Sequence, residues 1–199
     1  MITPCFETVG GGNYAIDSLT LEDVEDTQAT VQIVNADGSW GTQGFWFNAW
    51  NDIPAGWCTD MLGTTPADIS LKPGQAVFFY TTSKSAKAMS AGQVSGTVTV
   101  SLDSGYSMIG NASPVAISID SITLAGVEDT QATVQVVNAD GSWGTQGFWF
   151  NAWNDIPAGW CTDMLGTTPA DITLQPGQSV FFYTTATGAT ASIPSALAQ

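Results

Sequence analysis

Residues 18–82 recur without a gap as residues 121–185, and across that stretch only seven positions differ at an offset of 103. The differences are Leu19/Ile122, Glu22/Ala125, Asp23/Gly126, Ile33/Val136, Ser70/Thr173, Lys72/Gln175 and Ala76/Ser179. From Val34 to Ile69 the two copies are identical. A chain written twice solves one folding problem twice, so its 199 residues divide into two units of about 100, each with a modest core. The expected division is 1–95 and 96–199. Upstream of the strong match, Met1-Ile2 through Ile16-Asp17 resembles Met108-Ile109 through Ile119-Asp120, the first copy being longer around Gly10-Gly11-Gly12. The segment 96–107 has no counterpart before Met1. It is expected to close the first unit, to open the second, or to be a strand shared by both.

Within the unit the signals are those of short strands. Thr27–Val34 is β-branched and partly alternating, and it runs into Asn35-Ala36-Asp37-Gly38-Ser39, where Asp-Gly marks a hairpin turn. The return strand, Gly44–Trp50, places Phe45, Phe47 and Ala49 on one face and Trp46, Asn48 and Trp50 on the other. A Pro-containing break at Asn51–Gly56 precedes a short strand at Trp57–Thr59. Ile69–Leu71 and Ala76–Thr82, separated by Pro73-Gly74, then read as another hairpin. Turn signals every 8–12 residues and no helical period predict an all-β chain: two tandem, near-identical β-sandwich or small β-barrel domains.

Charge narrows the partners. The formal net charge is -15, and the cations are Lys72, Lys84 and Lys87, with neither Arg nor His. No basic surface is available to neutralise phosphates or anionic headgroups, so nucleic acid is not an expected partner. No apolar run is long enough for a membrane-spanning helix, and Met1-Ile-Thr-Pro lacks the basic and apolar regions of a signal peptide. The expectation is no membrane insertion; the sequence itself carries no leader and leaves open whether one has been removed. With 44% hydrophobic residues the chain is nonetheless expected to fold.

Catalysis is not expected, because His-based triads, His general acid–base pairs and His-containing zinc sites lack their central residue. A Ser-Lys device is confined to the first half, since nothing after Lys87 is cationic. No cofactor and no metal are expected. The acidic run Glu22-Asp23-Val24-Glu25-Asp26, a candidate for a loop calcium site, shrinks to Val127-Glu128-Asp129 in the second copy and reads as a solvated loop. Of Cys5, Cys58 and Cys161, only the last two occupy matching positions, so free thiols are expected and not a conserved bridge.

Tryptophan is the candidate binding chemistry. Each copy carries four. Trp46, Trp50 and Trp57, with Trp149, Trp153 and Trp160, form the expected binding set, because aromatic faces offer large apolar area with polar edges. Trp50 and Trp57 are expected to be the exposed members, since they flank the Asn51–Gly56 loop.

The order Gly105-Tyr-Ser-Met-Ile-Gly-Asn111, then Val-Asn-Ala-Asp-Gly, an aromatic stretch ending near Gly-Trp, and Leu-x-Pro-Gly-Gln-x-Val-Phe-Phe-Tyr resembles small β-sandwich repeats of bacterial surface proteins and phage-associated virion components. That resemblance implies a structural or adhesive part: a capsid decoration, fibre, tail or surface-layer component, extracellular or on a virion, contacting itself or protein partners. The lack of a leader favours the virion setting. The alternative is a carbohydrate-binding adhesion module that presents tandem aromatic platforms to glycans.

Overall fold

A computed structural model describes residues 13–90, 96–138 and 140–194. Cys5, the Gly10–Gly12 turn and the Met1-Ile2 similarity lie outside the described residues. Within them the chain is all-β, with several separate sheets and two short 3-10 turns at Ile16–Ser18 and Ile119–Ser121. Among the described residues no helix is long and apolar enough to cross a membrane.

The first copy supplies β1 (Tyr14–Ala15), β2 (Thr20–Glu22), β3 (Ala29–Val34), β4 (Trp40–Phe47), β5 (Gly56–Cys58), β6 (Ser70–Leu71), β7 (Phe78–Thr81) and β8 (Lys87–Met89). Two strands follow that have no earlier counterpart among the described residues, β9 (Val98–Leu102) and β10 (Gly105–Gly110). The second copy then repeats the first eight as β11 (Ile117–Ser118), β12 (Thr123–Ala125), β13 (Ala132–Val137), β14 (Trp143–Phe150), β15 (Gly159–Cys161), β16 (Thr173–Leu174), β17 (Ser179–Thr184) and β18 (Ala189–Ile193).

The β-branched run Ala29–Val34 pairs with Trp40–Phe47 as an antiparallel hairpin closed by the Asn35–Ser39 turn. Gly38 takes the left-handed conformation that closes it (φ 82°), and the Asp37 carboxylate accepts from the Ser39 N–H and hydroxyl at 2.9 and 2.6 Å. The first copy's main sheet runs β5-β4-β3-β7, with β2-β8 and β1-β6 as separate pairs. The expected hairpin across Pro73-Gly74 does not form. β6 pairs with β1, and β7 pairs with β3, so that turn carries the chain from one sheet to another.

In the second copy the corresponding sheets gain a strand each, giving β10-β17-β13-β14-β15 and β12-β18-β9. Both sheets contribute to one apolar cluster that includes Val134, Trp149, Trp160 and Phe182 from the first and Val100, Leu102, Ala191 and Ile193 from the second. The extra strands change their neighbours measurably. The four-residue β7 becomes the six-residue β17, and the three-residue β8 becomes the five-residue β18, because a strand is extended by the partner that satisfies its backbone. Ala88 is exposed whereas Ala191 is fully buried, and Phe79 is half-buried whereas Phe182 is fully buried. Val98, Val100, Leu102 and Ile109 provide that cover, each worth roughly 1.5–3 kcal/mol of burial.

β10 also reaches the first copy. Tyr106 N–H donates to the Ala36 carbonyl at 2.8 Å, Ala76 N–H to the Met108 carbonyl at 3.1 Å, and Gly110 N–H to the Gly74 carbonyl at 3.1 Å. Entry to this arrangement demands glycine at 105: φ is 118°, and a Cβ there would lie 1.9 Å from the Ala36 carbonyl oxygen. Gly105→Ala is therefore expected to lower stability by about 2 kcal/mol or more in urea denaturation. An unchanged midpoint would mean that β10 does not hold the copies together.

Candidate functional site

The identical stretch ends the strand β4 at Phe47 and then leaves the sheet. Trp50 and Ile53 exchange two backbone hydrogen bonds at 3.0 Å each, a tight turn in which Asn51 adopts φ 53°, a conformation that asparagine tolerates. This turn throws Trp50 outward, to 72% exposure, beside Ile53 at 57%. A second loop, Asp60–Thr65, presents Met61 and Leu62, the latter 83% exposed. The second copy repeats the cluster at Trp153, Ile156, Met164 and Leu165, with exposures of 72, 58, 59 and 83%.

Between these loops in the second copy lies a cleft of about 700 Å³, walled by Trp153, Ile156 and Leu165 and floored by Trp160 and Cys161. Every residue that lines it has an identical counterpart in the first copy. Three of its polar side chains are already engaged by the backbone. Asp120 accepts from Trp160 N–H at 2.9 Å, Asp129 from Asn151 N–H at 2.7 Å, and the Asn151 amide donates to the Val127 carbonyl at 3.0 Å. What the cleft offers a partner is mainly apolar surface.

The loop that carries Leu62 is held by one carboxylate. Asp60 accepts from the N–H groups of Leu62 at 2.8 Å, Thr64 at 3.2 Å and Thr65 at 2.6 Å, and from the Thr64 hydroxyl at 3.2 Å. Asp163 is held likewise by Leu165, Thr167 and Thr168. Partial desolvation pushes both carboxyls up, but the surrounding donors outweigh it and hold them well below the usual carboxylate range. A depressed native value means that this contribution is complete above the unfolded pKa near 4 and fades as pH falls below it through the native value. The Asp60 and Asp163 carboxyl carbons should thus show no NMR titration midpoint near pH 4, while an exposed carboxylate does; a midpoint there would mean that the loops are not held this way.

Of the sequence-predicted set, only Trp50 and Trp153 are at the surface. Trp46 and Trp149 are 2% exposed, and Trp57 and Trp160 are 1% exposed. The expected exposure of Trp57 is corrected by β5: it pairs with β4 and turns the indole inward, edge-on to Trp46 at a centroid distance of 5.4 Å, with its N–H bonded to the Leu19 carbonyl at 3.1 Å. Trp46 is likewise a core residue, while Phe45 and Phe47 are half-buried on the opposite face. Trp50 shares no strand face with Trp46, because the strand has already ended. Trp57 and Trp160 thus support the site from beneath.

Sequence reasoning missed Ile53, Met61 and Leu62, although Asp60-Met-Leu-Gly63 carries the signal: two large apolar residues inside a turn, where solvation favours polar ones. It also missed Trp40 and Trp143, 52 and 58% exposed, which pack edge-on against Phe78 and Phe181. Cys58 and Cys161 are free and half-buried; burial, then the nearby carboxylates, raises both thiols and keeps them protonated. In the acidic run, Asp26 accepts from Asn48 N–H at 2.7 Å, and Lys87 stands 3.8 and 3.5 Å from Glu22 and Asp23. Among the described residues no group of three or more carboxylates or thiols is gathered to hold a metal ion.

No family model, no curated protein and no solved structure matches this chain.

The two classes of tryptophan should separate on substitution. Trp160→Ala is expected to cost about 3–5 kcal/mol and Trp153→Ala no more than about 0.5 kcal/mol by chemical denaturation. Equal costs would contradict the division between core and surface.

Proposed function

We propose that the chain is a non-enzymatic structural component of an extracellular or virion assembly, of the capsid-decoration, fibre, tail or surface-layer kind, built from two tandem β-sandwich units. The observation that carries this reading is the exposed apolar cluster of Trp50, Ile53, Met61 and Leu62, repeated at Trp153, Ile156, Met164 and Leu165. Trp153, Ile156 and Leu165 wall a single cleft, and exposed apolar surface gathered in this way is uncommon on a protein that binds nothing and suits the apolar face of a protein partner. Two such surfaces on one chain give avidity on any partner that repeats. The trypsin-resistant composition of 88–199, which has neither Lys nor Arg, suits a protease-rich exterior.

Carbohydrate binding is the second reading. It is favoured by the exposed indoles of Trp50 and Trp153 at the clefts and disfavoured by the prior engagement of the polar side chains, which a sugar's hydroxyls require.

Sedimentation of the purified chain with its native particle tests the assembly reading. Cosedimentation is expected, weakened at least about tenfold by Leu62→Glu/Leu165→Glu, as for loss of buried anchors. A chain with no affinity for any particle would overturn it. Glycan-array binding abolished by Trp50→Ala/Trp153→Ala would establish the second reading instead.

A further inference from the structure

The apolar cleft is also where the second copy gathers its charge. Asp120 and Asp129 belong to the lining, Asp155 lies in the Trp153–Ile156 turn that forms one wall, and Asp163 opens the loop that carries Leu165. The segment 96–199 holds eight carboxylates and neither Lys nor Arg, so half of its charged side chains stand at or beside this one place. The first copy repeats the set as Asp17, Asp26, Asp52 and Asp60. The carboxylates that differ between the copies, at Glu22/Ala125 and Asp23/Gly126, are not part of the lining.

The protein does not neutralise these charges itself. Among the described residues the ion pairs are those of Lys87 with Glu22 and Asp23. The backbone N–H groups that hold Asp120 and Asp129 orient them without removing their charge, and each engages one oxygen, Oδ1. Oδ2 of either makes no hydrogen bond among the described residues. Asp17 and Asp26 are held in the same way, by Trp57 N–H at 3.1 Å and Asn48 N–H at 2.7 Å. The exposed indoles of Trp50 and Trp153 add ring faces that attract a guanidinium or an ammonium.

Charge therefore selects among the occupants that an apolar cleft admits. A second copy of the chain, seated cleft on cleft, would gather the carboxylates of both with no cation between them, a juxtaposition that opposes association. An acidic partner meets the same repulsion, and a neutral sugar leaves the carboxylates unanswered. A basic segment answers both features. Its apolar side chain fills the space between Trp153, Ile156 and Leu165, and an adjacent Arg or Lys meets the carboxylates and stacks on the indole.

We propose that each cleft receives a basic segment of a different protein, in which one large apolar side chain is closely flanked by Arg or Lys. This names the partner for the assembly reading above and rests on it.

Calorimetric titration of the full chain with three end-blocked peptides tests the proposal: Arg-Leu-Phe-Leu-Arg, and the same peptide with Gln or Glu in place of Arg. The Arg peptide is expected to bind two per chain, at least about tenfold tighter than the Gln peptide at low salt, with the Glu peptide weakest. Its advantage should shrink several-fold in about 0.5 M salt, which screens the carboxylates. Asp52→Asn/Asp155→Asn, at positions with no side-chain hydrogen bond to lose among the described residues, should weaken the Arg peptide about threefold or more and leave the Gln peptide unchanged. Glu22→Gln/Asp103→Asn, an equal change of charge away from the lining, should alter neither. Trp50→Ala/Trp153→Ala should abolish binding. Arg-peptide binding that survives the tryptophan changes, that falls equally in Glu22→Gln/Asp103→Asn, or that is absent altogether would overturn the proposal. Equal binding of the Arg and Gln peptides, still lost in Trp50→Ala/Trp153→Ala, would overturn it while leaving the apolar-loop reading intact.

Discussion

The structure turns on one strand whose two edges are both satisfied. β10 hydrogen-bonds along one side to β17 over six register pairs, from Gly105↔Thr184 to Gly110↔Ser179, and on the other side to Ala36, Gly74 and Ala76. A strand alone in water gains little from its backbone, because each protein hydrogen bond replaces one to solvent. Between two partners that already exist, it closes two sheet edges at once. The closure is also steric: a Cβ on Gly74 would stand 2.7 Å from Val100 and 2.8 Å from Ile193, so the turn of the first copy packs directly on β9 and β18.

The duplication separates what a sequence dictates from what its surroundings add. At the apolar loops, where the copies are identical, the paired residues agree closely in exposure. At β7 and β8 the two copies end up differently, because β9 and β10 pair along their length only with β18 and β17 of the second copy. The sequence there has followed the environment. Ser90 stands where Ile193 is buried, and Lys87 where Thr190 lies between two strands. A charged residue on an uncovered edge discourages indiscriminate pairing, and the Glu22 and Asp23 carboxylates beside Lys87 satisfy it locally.

Much of the fold could be read from local chemistry. The β-branched run, the Asp37-Gly38 turn and the return strand predict the β3–β4 hairpin, and the duplication predicts its second appearance. What escaped was non-local. Pro73-Gly74 looks like a hairpin turn from its own residues, and only the pairing of Ser70–Leu71 with Tyr14–Ala15, far back along the chain, shows that it joins two sheets. The site was half legible for a related reason. Alternation assigns faces only while a strand continues, and β4 stops at Phe47, so nothing local says that Trp50 swings outward while Trp57, on the next strand, turns in. The exposed Leu62 and Leu165 were hidden by the reasonable habit of assigning leucine to a core.

Because β10 belongs to both copies, they should not come apart before either unfolds. Native-state hydrogen exchange resolves this directly, at the amides of Tyr106, Ala76 and Gly110, which cross between the copies, and at Val134 in the centre of β13. The account predicts that the crossing amides exchange with the same free energy as Val134, through global unfolding alone. Exchange at Tyr106 and Ala76 through a lower-energy opening, with Val134 still protected, would contradict it and make the two copies independent bodies.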